Sequence, residues 1–161
     1  MGFRDKILSP DQLPPWRDAQ RAAGKRLVVT NGCFDILHLG HVTCLNDARQ
    51  QGDALLVGLN SDSSVRQLKG EGRPVNCETD RAAVLAALES VTAVCVFSET
   101  RATRFLSLAQ PDIYVKGGDF SVEQLPTEER EIVARLGGKI ITLAFVPGKS
   151  TTALLRKIAQ L

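Results

Sequence analysis

The stretch LVVTNGCFDILHLGH, Leu27 to His41, carries a β-branched run into a glycine-bearing turn and then into the opening of a helix. Both histidines of the chain, His38 and His41, fall in it, with Asp35 three residues before the first and Gly40 between them. An apolar run that gives way through a glycine turn to a helical pattern is the first half of a β-α unit. Outward from it the pattern repeats. Strand-like runs recur at 54–59, 93–97, 112–116 and 139–145, with helical patterns at about 39–51, 79–89, 101–109, 126–136 and 150–160. This alternation predicts an α/β domain with a parallel, doubly wound sheet of about five strands. Thr79 is the expected cap of the helix over 79–89, and Gly52 and Gly137 stand where glycines just past helix ends are expected. Residues 1–25, polar and proline-interrupted, read as a helical extension ending near Gly24, ahead of a single domain over 26–161.

Composition narrows the class. One hundred and sixty-one residues, 43% of them hydrophobic, suffice for one sizeable core. Twenty basic against eighteen acidic residues leave a formal charge of +2, and the basic residues are scattered. Nothing electrostatic points to a nucleic-acid or membrane partner. Cys33, Cys44, Cys77 and Cys95 lie 11, 33 and 18 residues apart with no C-x-x-C pair, so free thiols in a reducing compartment are expected. No stretch approaches a membrane span, the first ten residues lack a signal peptide's apolar region, and Lys6 stands where myristoylation needs Ser or Thr. A soluble, cytoplasmic protein is the expectation.

In a doubly wound sheet, ligands bind beyond the carboxyl ends of the strands, near the point where strand order reverses. Four strand-end loops therefore matter: the quoted turn, NSDSSVRQLKGEGRPVN (60–76), VKGGDF (115–120) and VPGKSTT (146–152). Each combines glycine, a basic residue and hydroxyl or carboxylate groups, which points to a polyanionic ligand. Gly32 is expected to turn the chain tightly out of the strand and close to that ligand. Leu39, Gly40 and His41 open a helix whose first N–H groups lack internal partners and favour an anion. His38 and His41, at i and i+3, share a helical face and can both reach one phosphate. Three other readings stand beside this one. They are a metal site from Asp35, His38 and His41, two buried structural histidines, and a surface turn without a role. The tight, apolar GCF and LHLGH segments count against the last. GKST at 148–151 is not a P-loop, because the glycine required five positions before Gly148 is Leu143 and the segment follows the last strand.

At this level of detail the chain resembles a known group. GCFDILHLGH is similar to the H-x-G-H signature of the nucleotidyltransferase superfamily, whose Rossmann-like fold cytidylyltransferases share with pantetheine-phosphate adenylyltransferase and class I aminoacyl-tRNA synthetases. With VGLNSDSSVRQLKGEGRPVN, RAAVLAALESV, DIYVKGGDF and GKSTT in the same order over roughly 26–160, it resembles the ADP-heptose synthase family. Those enzymes are adenylyltransferases acting on D-glycero-β-D-manno-heptose 1-phosphate. The resemblance implies that His38, His41 and Lys69 are catalytic, and that backbone at Gly32, Cys33, Phe34 and Gly40 holds nucleotide phosphates. It implies a place for Asp35 on the substrate side, at the floor of the turn and orienting the loop. Acceptor contacts fall to Asp62 and Arg81, although Arg81 also reads as a solvated arginine at a helix start. Lys116, Gly117, Gly118 and Asp119 would meet the nucleotide near its base and ribose. Lys149, Ser150, Thr151 and Thr152 would cap the last helix and face the β- and γ-phosphates. Cytidylyltransferases for glycerol phosphate and choline phosphate carry an arginine just before this segment. Here FVPG precedes it, with Lys149 as the replacement charge, which counts against a cytidine preference.

The reaction implied is adenylyl transfer, in which alignment and positive electrostatics do the work without a covalent intermediate. No nucleophile–base pair competes with it, since Cys44 is expected to fill the apolar face of its helix. Mg²⁺ is expected with ATP as co-substrate, without an all-protein metal cage. Two alternatives remain: a cytidylyltransferase for a small alcohol phosphate such as glycerol 3-phosphate, and a non-catalytic nucleotide-binding module. The presence of both histidines and Lys69 counts against the second. The glycine-flanked loop over 68–76 is the candidate lid. The resemblance also implies a homo-oligomer built on the 79–89 helix and the RPVN loop. The family's domain is often fused to a ribokinase-like heptose kinase, for which this chain is too short, so a separate kinase is expected. The product would feed lipopolysaccharide-core or related heptose glycan synthesis.

Overall fold

The run Ala54–Asn60 is buried along its whole length, which a strand achieves only when both faces of its sheet are covered. It is β3 of a parallel sheet containing β1 (Ile7–Leu8), β2 (Leu27–Gly32), β3, β4 (Ala93–Phe97), β5 (Ile113–Gly117) and β6 (Lys139–Leu143). The helices are α1 (Leu13–Ala22), α2 (Leu39–Arg49), α3 (Asp62–Lys69), α4 (Glu78–Ala86), α5 (Thr103–Ala109), α6 (Thr127–Arg135) and α7 (Thr151–Ile158). The structure is a computed structural model that describes residues 1–119 and 121–161; Phe120 of the VKGGDF loop lies outside the described residues.

The strand order is β1-β4-β3-β2-β5-β6. β2 pairs with β3 from Leu27↔Ala54 to Gly32↔Leu59, and with β5 on its other side. Strand order therefore reverses at the β2/β5 seam, and Gly32 and Gly117 flank the crevice where such sheets bind ligands. Successive side chains of a strand point to opposite faces. Leu27, Val29, Leu56 and Tyr114 accordingly pack with Leu13 of α1, Phe105 of α5 and Val133 of α6. Val28, Leu55, Val57 and Val115 pack on the other face with Leu45 of α2 and Leu85 of α4.

The differences from expectation have local causes. About five strands are expected and six are found among the described residues. The extra one, β1, is two residues long and pairs with β4 through Ile7↔Val94 and Leu8↔Cys95. So short a strand leaves no periodic signal. Through it residues 1–25 join the sheet, and Leu13 is fully buried. The 60–76 stretch holds a helix, α3, whose Ser61 cap accepts the Ser64 N–H at 3.2 Å. The helix expected to be capped by Thr79 has Cys77 at its N-cap position and Thr79 inside its first turn. Residues 75 and 76 are tied down by Asp35, so the chain enters the helix earlier. Gly137 follows the end of α6 with φ +78°, as expected. Gly52 instead permits a close contact, since a Cβ there would lie 2.7 Å from Val28 Cγ2 and 2.8 Å from the Arg26 carbonyl oxygen. The four cysteines are free thiols. Among the described residues no helix is long and apolar enough to cross a membrane.

Candidate active site

β2 ends at Gly32, but Phe34 makes the turn. Phe34 has φ +44°, in the left-handed region that residues with side chains seldom adopt. Gly32 supplies room instead: a Cβ there would lie 3.0 Å from the Phe34 ring. The expectation that Gly32 turns the chain is corrected accordingly. The Phe34 ring lies 5.2 Å from the His41 ring, and His41 stacks on His38 with centroids 3.8 Å apart. His38, in extended backbone, is the N-cap of α2, and its Nδ1 accepts the Gly40 N–H at 3.1 Å. An imidazole that accepts at Nδ1 carries its neutral-form proton on Nε2, where it is available to a ligand. A Cβ on Gly40 would meet the His38 ring at 2.9 Å and Lys149 Cβ at 3.3 Å, so no larger residue fits there without displacing one of them.

Burial lowers the His41 pKa to about 4, and the neighbouring His38 adds to the fall. The Ile36 carbonyl opposes it weakly, because His41 Nδ1 is buried without a partner in hydrogen-bond geometry. Burial and the Lys149 charge lower His38 as well. Both rings are therefore neutral at pH 7. α7 enters beside them. Thr151 Oγ1 donates to the Ile36 carbonyl at 3.3 Å, and Ser150 Oγ caps the helix by accepting the Ala153 N–H at 3.0 Å. The N-termini of α2 and α7 thus meet at one turn, and both helix dipoles favour an anion there.

Asp35 and Arg81 hold this turn in place. The Asp35 carboxylate, 3% exposed, accepts from Val75 N–H at 2.9 Å, Asn76 N–H at 3.0 Å and Arg73 Nε at 2.8 Å. Burial pushes its carboxyl up, but the two amides and Arg73 outweigh burial and hold it below its ordinary value. Arg81 is 2% exposed, so the reading of a solvated helix-start arginine is corrected. Its guanidinium donates to the carbonyls of Asn76, Cys33 and Asn60 at 2.9, 2.7 and 2.9 Å, and to Asp62 Oδ1 at 2.7 Å. One side chain from α4 therefore clamps the loops that follow β2 and β3. Among the described residues no three His, Cys, Asp or Glu side chains form a metal-ligand set, so Asp35, His38 and His41 do not assemble as one.

The remaining residues sort by position. Lys69 is the exposed last residue of α3; its charge and those of Arg81 and Arg73 pull the Cys33 thiol down, although burial raises it more. Gly117 faces α2, where a Cβ would lie 3.1 Å from Cys44 Sγ, so the thiol fills the gap between helix and sheet. The Gly118 N–H donates to Leu143 O at 2.8 Å, and Asp119 and Thr152 are exposed at the rim. Lys116, in phase with Tyr114, points to the α5/α6 face. Its Nζ donates to Asn31 Oδ1 at 3.3 Å and stands 3.8 Å from Glu129 Oε2. The structure thus gathers His38, His41, Phe34, Gly40, Lys149 and Thr151 at the turn, sets Asp62 and Lys69 on the β3 side, and leaves Lys116 on the other face. Arg73, Asn76, Asn31, Tyr114 and Glu129 had no sequence signal. Glu129 in particular sits in TEERE, which looks like a solvated helix face.

A parallel sheet with a histidine turn at its switch point, flanked by two helix N-termini, defines a Rossmann-like domain of the nucleotidyltransferase type. The profile of the cytidylyltransferase-like family matches residues 29–156, and the chain belongs to that family. It is 49% identical over 159 residues to the bifunctional protein HldE of Pseudomonas aeruginosa PAO1, covering 99% of this chain and 33% of that one. It is 48% identical over 153 residues to the protein of the same name from Geotalea uraniireducens, covering 95% and 31%. The chain therefore spans about a third of the length of these relatives. The crystal structure of a lipopolysaccharide core biosynthesis protein from Thermoplasma volcanium is similar at TM-score 0.63 and 27% identity, covering 76% of this chain and 98% of that one. Pantoate-β-alanine ligase from Francisella tularensis shares the fold at TM-score 0.63 and 13% identity, over 96% of this chain and 78% of that one.

Proposed function

We propose that this domain transfers the adenylyl group of ATP to D-glycero-β-D-manno-heptose 1-phosphate, forming ADP-heptose and pyrophosphate. The observation that carries the reading is the meeting of two helix N-termini at the stacked His38–His41 pair, at the switch point of the sheet. An oxygen of the sugar phosphate attacks the α-phosphorus, the new P–O bond forms as the bond to the α–β bridging oxygen breaks, and pyrophosphate departs. The charge that builds on the departing group falls to the His38 Nε2–H, the first amides of α2, and Lys149 at the entry to α7. Lys69, at the end of α3 on the β3 side, would add its charge to the same centre. Asp35, Asp62 and Arg81 act through the loops they hold. A magnesium ion carried on the ATP phosphates would supply charge neutralisation there, since Asp35 and Asp62 are both paired with arginines.

The likeness to proteins named bifunctional HldE and to one named for lipopolysaccharide core biosynthesis supports a place in heptose glycan synthesis, in the ATP-containing cytoplasm. The sugar phosphate would come from a kinase outside the described domain. Self-association through α4 is part of the same reading. Val84 and Val75, 52% and 54% exposed, stand beside a cleft of about 380 Å³ between α4 and the histidine turn.

The test is pyrophosphate release with Mg²⁺, crossing ATP and CTP with heptose 1-phosphate and glycerol 3-phosphate. Release is expected only with ATP and the heptose. Release with CTP would move the chain to a cytidylyltransferase. ATP binding without release in any pairing would make the histidine turn a nucleotide clamp and overturn the reading.

A further inference from the structure

Glu129 is a buried charge that the mechanism above does not use. It lies on α6 and is 3% exposed. Its Oε1 accepts the Ala102 N–H at 3.4 Å, and its Oε2 accepts the Tyr114 hydroxyl at 3.1 Å. The same hydroxyl is shared with Asn31 Oδ1 at 2.5 Å, which also accepts from Lys116 Nζ. Lys116 completes the group, 3.8 Å from Glu129 and with its side chain 20% exposed, so its ammonium is the partly open end of a buried network. A buried carboxylate needs such a partner, and a network held at four points fixes where that partner sits.

The position matters because of sheet parity. Lys116 and Asn31 project on the α5/α6 face, whereas His38 and His41 belong to α2 on the opposite face. In phosphoryl-type transfer the attacking and leaving oxygens lie roughly in line, on opposite sides of the phosphorus. If the histidine turn receives the pyrophosphate, the attacking oxygen arrives from the other side, where Lys116 stands. We propose that Lys116 binds the phosphate of the acceptor and that Glu129, through Tyr114 and Asn31, is the positioning residue that aims it. This inference rests on the adenylyl-transfer reading and moves Lys116 from the nucleotide to the acceptor.

The groups facing the Lys116 ammonium are Asn31 from β2, Tyr114 from its own strand, Glu129 from α6, Cys33 from the histidine turn and Arg101 from the loop before α5. Burial lowers the Lys116 pKa; Glu129 and Cys33 pull it up, and Arg101 adds to the fall. Removing the Glu129 charge therefore lets the ammonium lose its proton at a lower pH.

The experiment compares wild type, Glu129→Gln, Lys116→Met and the double variant. Each is checked for cooperative melting and then assayed for KM toward each substrate across pH. In both single variants the acceptor KM is expected to rise about tenfold or more, while the ATP KM changes less than about twofold. The alkaline limb of kcat/KM for the acceptor moves to lower pH in Glu129→Gln. In the Lys116→Met background, Glu129→Gln has little further effect, because it acts through the lysine. A rise confined to the ATP KM, or equal losses with no pH shift and full additivity, would overturn the proposal. The two readings fail separately. Turnover with a different sugar phosphate would replace the substrate and keep the pair, whereas an unchanged acceptor KM would remove the pair and keep the substrate.

Discussion

A histidine whose pKa is about 4 in the folded protein and near 6.5 in the unfolded chain makes stability depend on pH in a defined window. Between those values the unfolded state binds the extra proton, so stability is complete above about pH 6.5 and falls as pH drops toward 4. The loss attributable to His41 is at most on the order of 3 kcal/mol. Melting temperatures of wild type and His41→Gln from pH 7.5 to 4.5 test this: the wild type should fall more steeply, and parallel curves would contradict the burial argument. An anionic ligand beside the ring reverses the shift. ATP binding near pH 5.5 should therefore take up a proton, seen as a dependence of calorimetric heat on buffer ionisation enthalpy. Gly40 gives a steric counterpart. A methyl group there would press on the His38 ring at 2.9 Å. Gly40→Ala should lower kcat/KM about a hundredfold or more while costing only a few degrees of melting temperature. Activity near wild type would show that His38 need not keep its cap.

At the scale of elements, the decisive contacts join pieces that sequence shows as separate. Arg81 links α4 to the ends of β2 and β3 through three bonds, and a fourth holds the Asn76 carbonyl of the loop that enters α4. Arg81→Met leaves three carbonyls and the Asp62 carboxylate without that donor, and should cost about 3–5 kcal/mol in urea denaturation. Arg81→Lys should recover little of it, because one ammonium cannot span the same acceptors. The β2-turn-α2 unit was legible in the sequence because a buried parallel strand is a continuous apolar run and a helix start has its own residue preferences. The strand-end placement of the histidines followed from that alone. Arg81 was named as a site residue by resemblance, but its burial was not legible, since an arginine at a helix start is normally solvated and its burial is created by loops distant in sequence. Glu129 was hidden for the same reason: within TEERE its neighbours Glu128 and Glu131 are exposed, and only its contacts with Ala102, Tyr114 and Lys116 set it apart. Asp35 was legible as a loop organiser, but its partners Arg73, Val75 and Asn76 were not.

The whole molecule is closed on its β4 side by the two-residue strand β1. That strand, with Lys6 donating to the carbonyls of Leu88 and Val91, is what residues 1–25 add to the sheet itself. Removing residues 1–9 would bare the β4 edge while leaving α1 with its buried Leu13. Unpaired edges recruit other chains. The truncated protein should show concentration-dependent association by light scattering and a lowered melting temperature, and a monodisperse, equally stable product would show that β1 is dispensable. Asp35 is a joint of another kind. Its carboxylate bonds Arg73, Val75 and Asn76 and so fastens the 68–76 loop, on the β3 side with Lys69 and Asp62, to the turn that carries the histidines. A substrate that draws that loop inward pulls the imidazole pair with it. Each substrate then tightens the binding of the other by the same factor. Initial-rate plots against both substrates should show that synergy, and Asp35→Asn should weaken it.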